Sequence, residues 1–459
     1  MLHVIPGLIY IIGVLLVPVF AFAEDSFQVA EAVDRNNALD EVVAVVSSLP
    51  SPSQVPLEIS ANNVEQFCTL LPDAVCQLVR SNRFAMLAKS RLPFFWQMSE
   101  AWRDSSNNNL GLFKLDSEGQ AVYRGVEDRA QLVGAPFGTA SALERESSSL
   151  RKFRKIFLNS SFVAFAASDA MLATDWYFFS SNQVLRQASG HYFVLRNRNF
   201  GASASEADAA TELSGGRAWE FVQLFDFSFP EVLKNYSLYR VSGADKSRRS
   251  FKIHSPVAGD TRTVSEASEW EPLLGGDIGV RDFIIDNYEP GVAGRVVEEK
   301  ELLVPFMQND LQRIRTVEGG EKVFSESDSS SFWNFEMRGY GSTLPYLPNS
   351  VVYVPRNVWV IEYPVNNIFS SVGRVRIVID KGTLLPVYKT EFMQNGGVKR
   401  LLIAGWRLTE DDKNEERYPI PGFVLSFSMS GDSATAVRFP YAELSRDLKF
   451  PQEMKEIFK

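Results

Sequence analysis

The sequence predicts an α+β protein that is built on a large antiparallel sheet. Helical signals concentrate before residue 170 and strand signals after it, and this separation is typical of α+β folds rather than of wound parallel sheets. In the second half, stretches supplied with Pro, Asn and Gly separate successive strand-like runs. The clearest of these runs are Val358–Tyr363, Arg374–Asp380 and Val398–Leu408.

The N-terminal residues predict export. Residues 1–23 contain no Asp, Glu, Lys or Arg, Ile5 to Phe20 is apolar, and Ala21-Phe22-Ala23 has the small-x-small pattern that signal peptidase cuts. We therefore expect a signal peptide at 1–23, with an uncleaved N-terminal anchor as the alternative. Residues 24–63 are polar and contain several prolines, which predicts a flexible arm.

Residues 64–200 are predicted to form a helical region that includes one hairpin. The hairpin pairs Leu110–Leu115 with Gln120–Arg124. Within the region, Ala142–Ala167 is amphipathic: Leu150, Phe153, Phe157 and Leu158 share one face, and the opposite face is basic. Packing on a sheet with the lysines in water is the favoured interpretation, and contact with a membrane is the alternative.

The two cysteines, Cys68 and Cys76, are a candidate disulfide. A straight helix of eight residues would place them about 12 Å apart, which is too far to bridge. Pro72 lies between them and would break such a helix, so two short helices could bring the thiols together. Two reduced core cysteines remain the alternative.

The rest of the chain is predicted to be a flexible loop at 201–216, rich in Ser, Ala, Glu and Gly, and a sheet region at 217–459. We expect the sheet region to form one domain with residues 64–200. In this part large apolar residues, many of them aromatic, occupy alternate positions of strand-like runs, as at Phe423, Leu425 and Phe427.

Composition argues against several classes of function. The net charge of −9 and the lack of a long Lys/Arg block argue against a nucleic-acid-binding protein. His191 and His254, the histidines beyond the leader, are expected to be hydrogen-bonding residues at strand ends. No nucleophile, metal or phosphate-loop motif is recognisable, so we expect neither an enzyme nor a cofactor nor a bound metal.

Carboxylates leave a hydrolase open as an alternative. Asp277, Asp282 and Asp286 lie close together in sequence, and Glu298, Glu299 and Glu301 form an acidic run. Two carboxyl groups facing each other at about 5–10 Å could perform glycosidic acid-base chemistry. The favoured interpretation is that these groups are solvated loop carboxylates.

Several segments of the second half resemble one bacterial family, that of exported proteins with a domain of unknown function 1329, which are similar to outer-membrane lipoprotein-sorting proteins. The segments are Trp219-Glu-Phe-Val, Ser255-Pro-Val-Ala-Gly-Asp-Thr-Arg262, Leu303-Val-Pro-Phe306, Arg356-Asn-Val-Trp-Val-Ile-Glu362, Gly373-Arg-Val-Arg-Ile-Val-Ile-Asp380 and Tyr388 to Leu402. The resemblance covers roughly residues 215–445. It departs from the family pattern at Gln394-Asn395, where an aspartate is usual.

The resemblance implies a lipoprotein-carrier-like architecture: a strongly curved sheet, an incomplete β-barrel, with helices covering its concave face. It also implies a location in the periplasm or at the outer membrane, with an inner-membrane exporter or an outer-membrane protein as partner.

The resemblance and the aromatic residues of the strand-like runs together lead us to expect a carrier of a lipid or acyl chain. A non-catalytic envelope scaffold is the alternative. An ordinary filled core would fit the aromatic strands nearly as well. The predicted cavity residues are Trp219, Phe221, Phe225, Tyr239, Phe251, Trp359, Ile361, Phe392, Trp406, Phe423, Leu425 and Phe427.

Overall fold

The fold is known from a computed structural model. It describes residues 42–117, 119, 121–123, 130–131, 134–180, 183–197, 199–200, 220–243, 249–285, 291–307, 312–326, 335–337, 346–348, 351–411, 413, 416–445 and 448. The chain divides into two compact units, residues 1–43 and 44–459, and the sheet and helices below belong to the second. The predicted signal peptide and the 201–216 loop lie outside the described residues.

Twenty-three strands dominate the described residues. They are β1 (Leu57–Ile59), β2 (Met86–Ala88), β3 (Phe113–Leu115), β4 (Ala121–Tyr123), β5 (Ala130–Gln131), β6 (Asp169–Ser180), β7 (Gln183–Asn197), β8 (Asn199–Phe200), β9 (Glu220–Phe229), β10 (Ser237–Gly243), β11 (Ser250–Ser255), β12 (Asp260–Val264), β13 (Arg295–Met307), β14 (Gln312–Thr316), β15 (Lys322–Ser325), β16 (Phe335–Met337), β17 (Tyr346–Pro348), β18 (Val351–Pro364), β19 (Arg374–Asp380), β20 (Pro386–Phe392), β21 (Val398–Asp411), β22 (Arg417–Ser428) and β23 (Ser433–Ser445).

The described helices are few and short. The α-helices are α1 (Asp73–Arg80), α2 (Glu100–Asn108), α3 (Ala140–Glu144) and α4 (Ser149–Val163), and residues 42–47 are also helical. Short 3₁₀ segments of one or two turns occur at Val64–Leu70, Ala164–Ala167, Glu231–Leu233, Glu266–Trp270, Leu273–Gly275 and Val280–Ile285. Among the described residues, no helix has the length and apolar character needed to cross a membrane.

Seventeen of the strands form one sheet. Antiparallel pairing runs from β12 through β11, β10, β9, β7, β6, β23, β22, β21, β20, β19 and β18 to β13. Strand β13 then meets β21 where Phe306 lies beside Trp406, so β13, β18, β19, β20 and β21 form a ring. The predicted α+β class with a large curved antiparallel sheet that closes incompletely is confirmed.

The ring closes beside a bulge. Gly405 of β21 lies opposite Phe423 and Trp406 lies opposite Pro421, so Gly422 is the extra residue and the bulge belongs to β22. A Cβ at position 405 would lie 2.0 Å from Cε1 of Phe423, which leaves room for glycine alone. The indole Nε1 of Trp406 donates to the carbonyl oxygen of Pro386 at 2.7 Å, which ties β21 to the start of β20 opposite this bulge.

The N-terminal part of the second unit differs from the predicted arm and helical region. Strand β1 pairs with β2, and Lys89 Nζ donates to the carbonyl oxygen of Pro52 at 2.8 Å, so the chain from about residue 50 is held on the body rather than loose. The predicted hairpin is present as β3 and β4. Residues 169–197, which were counted with the helices, are instead the two long strands β6 and β7.

The cysteines form a disulfide with Cα atoms 5.4 Å apart. Cys68 lies in the 3₁₀ turn Val64–Leu70 and Cys76 in α1. Pro72 separates these two short elements and reverses the chain between them.

The amphipathic helix α4 packs on the sheet. Phe157 stacks on Tyr363 of β18 with ring centroids 5.4 Å apart, and Phe153 lies 6.3 Å from the same ring. Its lysines are only partly in water: the Lys152 side chain is 15% exposed and pairs with Glu299, and the Lys155 side chain is 26% exposed and pairs with Glu146, each at 2.5 Å. Leu150, predicted on the apolar face, is 38% exposed.

Candidate functional site

A segment between β12 and β13 covers one face of the sheet. This segment, residues 266–285, is here called the plug, and the covered face, which carries Trp176, Tyr192 and Phe225, is called the plug face. Phe283 of the plug is fully buried, with its ring centroid 4.3 Å from that of Phe225, 4.9 Å from Tyr192 and 5.1 Å from Trp176. The protein's own side chains therefore fill this part of the hollow that the sequence predicted for a guest.

Buried charges join the plug to the sheet. Lys389 Nζ of β20 donates to Asp282 Oδ1 of the plug at 2.7 Å, and Arg400 of β21 donates to Glu391 Oε2 at 2.6 Å. These four side chains are at most 3% exposed and carry two charges of each sign, so the group is neutral overall. Arg400 also donates to the carbonyl oxygen of Trp270 at 2.8 Å, which fixes plug backbone as well as plug side chains.

The pKa values of the two carboxyls in this cluster shift in opposite directions. Burial alone would raise the pKa of Asp282, but the charges of Lys389 and Arg400 outweigh it and lower that pKa to about 2. Burial raises the pKa of Glu391 in spite of Arg400. Asp282 is thus the carboxylate that the two cations hold in its charged form.

A second buried ion pair joins the other side of the plug to β10. Arg240 Nε donates to Glu269 Oε2 at 2.7 Å, and Arg240 Nη1 donates to Gln223 Oε1 at 2.9 Å. Gln223 Nε2 in turn donates to the hydroxyl of Tyr192 at 2.6 Å. A buried charge is costly unless it is paired and hydrogen-bonded, and here each member has a partner.

The interpretation of the acidic residues as solvated loop carboxylates is wrong for two of them. Asp282 belongs to the buried cluster, and Asp277 is 7% exposed, with burial raising its pKa. Both belong to the plug and accept hydrogen bonds from the sheet: Asp282 from Lys389 and Asp277 from Ser433. On β13, Glu298 pairs with Lys300, Glu299 pairs with Lys152 and Lys381, and Glu301 is half-buried; Asp286 lies outside the described residues.

The predicted cavity residues do not share one face of the sheet. Directly opposed residues of an antiparallel pair lie on the same face, so Tyr239, opposite Leu224, faces away from Phe225. The plug face includes Ser426 of β22, whose hydroxyl donates to the plug, so the alternating Phe427 lies on the other face, 5.5 Å from Phe84. Phe423 and Leu425 share the face of Phe427 by the same alternation.

Ten of the predicted residues have described side chains, and none of these ten lines any of the three clefts described below. All are at most 8% exposed: Phe225, Tyr239, Phe251, Trp359, Ile361, Phe392, Trp406, Phe423, Leu425 and Phe427. The side chains of Trp219 and Phe221 lie outside the described part. For these twelve residues the cavity role stays a prediction.

An apolar cleft opens beside the plug, at the end of the sheet where β6 turns into β7. Its volume is about 580 Å³, within the range of small-molecule sites. Phe178 of β6 and Leu274 of the plug lie on one side, and the turn after β9 lies on the other. The lining residues are Phe178, Val184, Leu185, Arg186, Gln187, Ala188, Phe229, Pro230, Val232, Leu233 and Leu274.

Several apolar side chains of this cleft face solvent. Val232 is 69% exposed, Leu185 62% and Phe229 54%. Isolated exposed apolar residues are ordinary, but a contiguous group around a concavity marks a binding surface. The sequence did not point to these residues, because β7 lies within the region predicted to be helical. The apolar pair Val184-Leu185, just after Ser180-Ser-Asn182, is the turn-strand signal that marks them.

Two further clefts adjoin each other elsewhere on the surface. One, of about 880 Å³, is lined by the segment Arg91–Trp96 and by Val354, Pro355 and Arg356. The other, of about 420 Å³, is polar and includes Glu301 and Lys381. Arg356 lines both and is already held by Asp380, to which its Nε donates at 2.8 Å.

The described residues contain no group of three or more His, Cys, Asp and Glu side chains able to hold a metal ion. His254 Nδ1 lies 3.1 Å from Thr261 Oγ1, across the pair β11–β12. This contact is the strand-end hydrogen bond that the sequence suggested for His254.

Comparison with known proteins finds likenesses among solved structures. No family model matches, and no curated protein matches. A DUF1329 family protein from Desulfovibrio piger has 12% identity and a TM-score of 0.41, with 67% of this chain and 99% of that chain covered. A domain from Vibrio parahaemolyticus described as outer membrane lipoprotein-sorting has 10% identity and a TM-score of 0.41, covering 66% and 97%.

A LolA superfamily protein from Nitrosomonas europaea has 8% identity and a TM-score of 0.35, with 68% of this chain and 98% of that chain covered. The family that the sequence motifs resemble is thus represented among the similar structures.

Proposed function

We propose that this chain is a non-catalytic binding or carrier protein for a hydrophobic ligand, a lipid or acyl chain, in the cell envelope. The observation that carries the proposal is the apolar cleft beside the plug. Nine of its eleven lining residues are apolar, and its volume is that of a small-molecule site. A chain laid in this cleft would cover Leu185, Phe229 and Val232, which are otherwise exposed to water.

The expected affinity suits reversible carriage. Burying about ten methylenes gains roughly 8 kcal/mol at ~0.8 kcal/mol each. Association costs at least about 4 kcal/mol. The net gain is therefore at most about 4 kcal/mol, which corresponds to a Kd of about 1 mM or weaker before any head-group contact is counted. Such a ligand would exchange readily.

Location in the periplasm is part of the proposal. The disulfide between Cys68 and Cys76 supports it, because disulfides persist in oxidising compartments. The partners that the resemblance implies, an inner-membrane exporter or an outer-membrane protein, stay predictions.

Charged substitutions in the cleft are expected to abolish ligand binding without unfolding the protein. Leu185→Asp with Val232→Asp places two carboxylates where the chain would lie, and both positions are exposed. Loss of about 1.5–3 kcal/mol for each apolar contact predicts binding at least tenfold weaker. The measurement is titration with a fluorescent fatty acid, together with mass spectrometry of lipid extracted from the purified protein.

Ile368→Asp with Phe369→Asp is the matched control, because these residues are 87% and 83% exposed and lie outside the cleft. The control is expected to bind like the unchanged protein. If the unchanged protein yields no lipid and shows no saturable binding, the proposal is wrong and the envelope scaffold is favoured instead.

A further inference from the structure

We infer that the ligand of the apolar cleft is an anionic amphiphile, whose carboxylate or phosphate head is bound by Arg186 while its chain lies along Leu185, Phe229 and Val232. This inference rests on the proposed function and adds the chemistry of the ligand's head group. It follows from the position of Arg186, from the contacts that hold this side chain, and from the lack of an acidic partner.

Arg186 is the cation among the described residues that line this mostly apolar cleft. It lies in β7, opposite Phe178 of β6, and both side chains point to the plug face. The lining residues include no Asp or Glu, and among the described residues no carboxylate forms an ion pair with Arg186. Other arginines that face the plug do have such partners: Arg240 pairs with Glu269 and Arg400 with Glu391.

Two contacts hold the Arg186 guanidinium in place without neutralising it. Its Cζ lies 4.3 Å from the centroid of the Phe178 ring, and its Nη2 donates to the carbonyl oxygen of Leu274. A guanidinium has five N–H donors in a planar fork, so donors remain for a ligand. A planar fork fixed in one orientation is suited to bidentate binding of a carboxylate or a phosphate.

The conformation of the plug backbone allows the carbonyl oxygen of Leu274 to accept the hydrogen bond from Arg186. Leu274 has φ +53° and Gly275 has φ +67°, so two successive residues adopt the left-handed conformation. Left-handed backbone is unfavourable for leucine and persists only where the surroundings impose it. This turn places the Leu274 side chain in the cleft and its carbonyl oxygen on Arg186.

Two charged residues on the opposite side of the cleft do not compete with Arg186 for the head group. Glu231 and Lys234, in the turn after β9, lie 3.3 Å apart and balance each other. Among the described residues that line the cleft, Arg186 therefore supplies the uncompensated charge, and an anion is the complementary head group.

The test uses three probes with the same ten-carbon chain: decanoate, decyl phosphate and decanol. Each is titrated calorimetrically into the full protein, into Arg186→Gln and into Arg186→Lys. Arg91→Gln is the control, since Arg91 lines a different cleft. We expect the unchanged protein and the control to bind at least one anion about tenfold more tightly than decanol.

Arg186→Gln should weaken binding of that anion about tenfold and leave decanol binding unchanged. Arg186→Lys should restore part of the loss, because it keeps the charge but not the fork. Comparison of decanoate with decyl phosphate identifies the head group. Equal binding of decanol and both anions to the unchanged protein would overturn the inference and leave the proposed function standing; no binding of any probe would overturn both.

Discussion

Replacing Phe283 with alanine is expected to lower the free energy of unfolding by about 3–5 kcal/mol. The ring is fully buried and contacts aromatic rings on four strands, β6, β7, β9 and β23. These neighbours belong to a hydrogen-bonded sheet and cannot all move into the space, so a cavity should remain. Urea unfolding followed by tryptophan fluorescence measures the change.

Phe369→Ala is the control for this substitution, since its ring is 83% exposed and should change stability by less than about 0.5 kcal/mol. Hydrogen exchange supplies a second measurement. Amides of residues 266–285 should exchange faster in Phe283→Ala than in the unchanged protein, because the plug has lost its main apolar anchor. A loss of stability below about 1 kcal/mol would show that Phe283 does not anchor the plug.

Replacing Lys389 with methionine is expected to lower the free energy of unfolding by a similar amount, about 3–5 kcal/mol. The change leaves Asp282 and Glu391 buried with Arg400 as the nearest cation. Adding Asp282→Asn to Lys389→Met removes the excess negative charge and should recover a large part of the loss. If Lys389→Met alone has no effect, or if the second substitution makes the protein still less stable, the cluster does not work as a balanced set of charges.

The contribution of the Asp282 carboxylate to the free energy of unfolding is expected to depend on pH in the acid range. Its folded-state pKa of about 2 lies below its ordinary value of 3.8, so Asp282 binds a proton less readily in the folded chain than in the unfolded chain. Its contribution, about 2 kcal/mol, is therefore complete above pH ~4 and is lost as the pH falls towards 2. Glu391 acts in the opposite direction, because its raised pKa makes protonation favour the folded state.

The difference in unfolding free energy between the unchanged protein and Asp282→Asn isolates the Asp282 contribution. This difference should shrink between pH 4 and pH 2, as measured by urea unfolding at each pH. A difference that stays constant over that interval would contradict the assignment.

The strands were predictable from the sequence because their signals are local. Val358–Tyr363, Arg374–Asp380 and Val398–Leu408 lie in β18, β19 and β21. Alternation along β22 was also visible, but alternation does not say what covers each face. What covers a face depends on strand pairing between residues far apart in the sequence, such as Ala436 with Tyr177. This pairing places Phe423 and Phe225 on opposite faces of the sheet.

The plug could not be predicted from periodicity. Its apolar residues, including Trp270, Leu273, Ile278 and Phe283, follow neither a helical nor a strand period, because three short 3₁₀ turns and the irregular residues between them carry them. Its charged residues suggested a solvated loop, and only the three-dimensional arrangement shows that Lys389 and Arg400 neutralise Asp282. The same limit applies to the cleft, which forms from turns that lie far apart in the sequence, near Leu185 and near Val232.

Photo-crosslinking tests the central proposal most directly. Decanoate with a diazirine near the end of its chain is irradiated with the full protein, and the labelled peptides are identified by mass spectrometry, with and without excess unlabelled decanoate. Saturable labelling of residues 184–188 and 229–233, abolished in Leu185→Asp with Val232→Asp, is the predicted result. Saturable labelling confined to the cleft at Arg91–Trp96, or labelling that excess decanoate does not reduce, would contradict it.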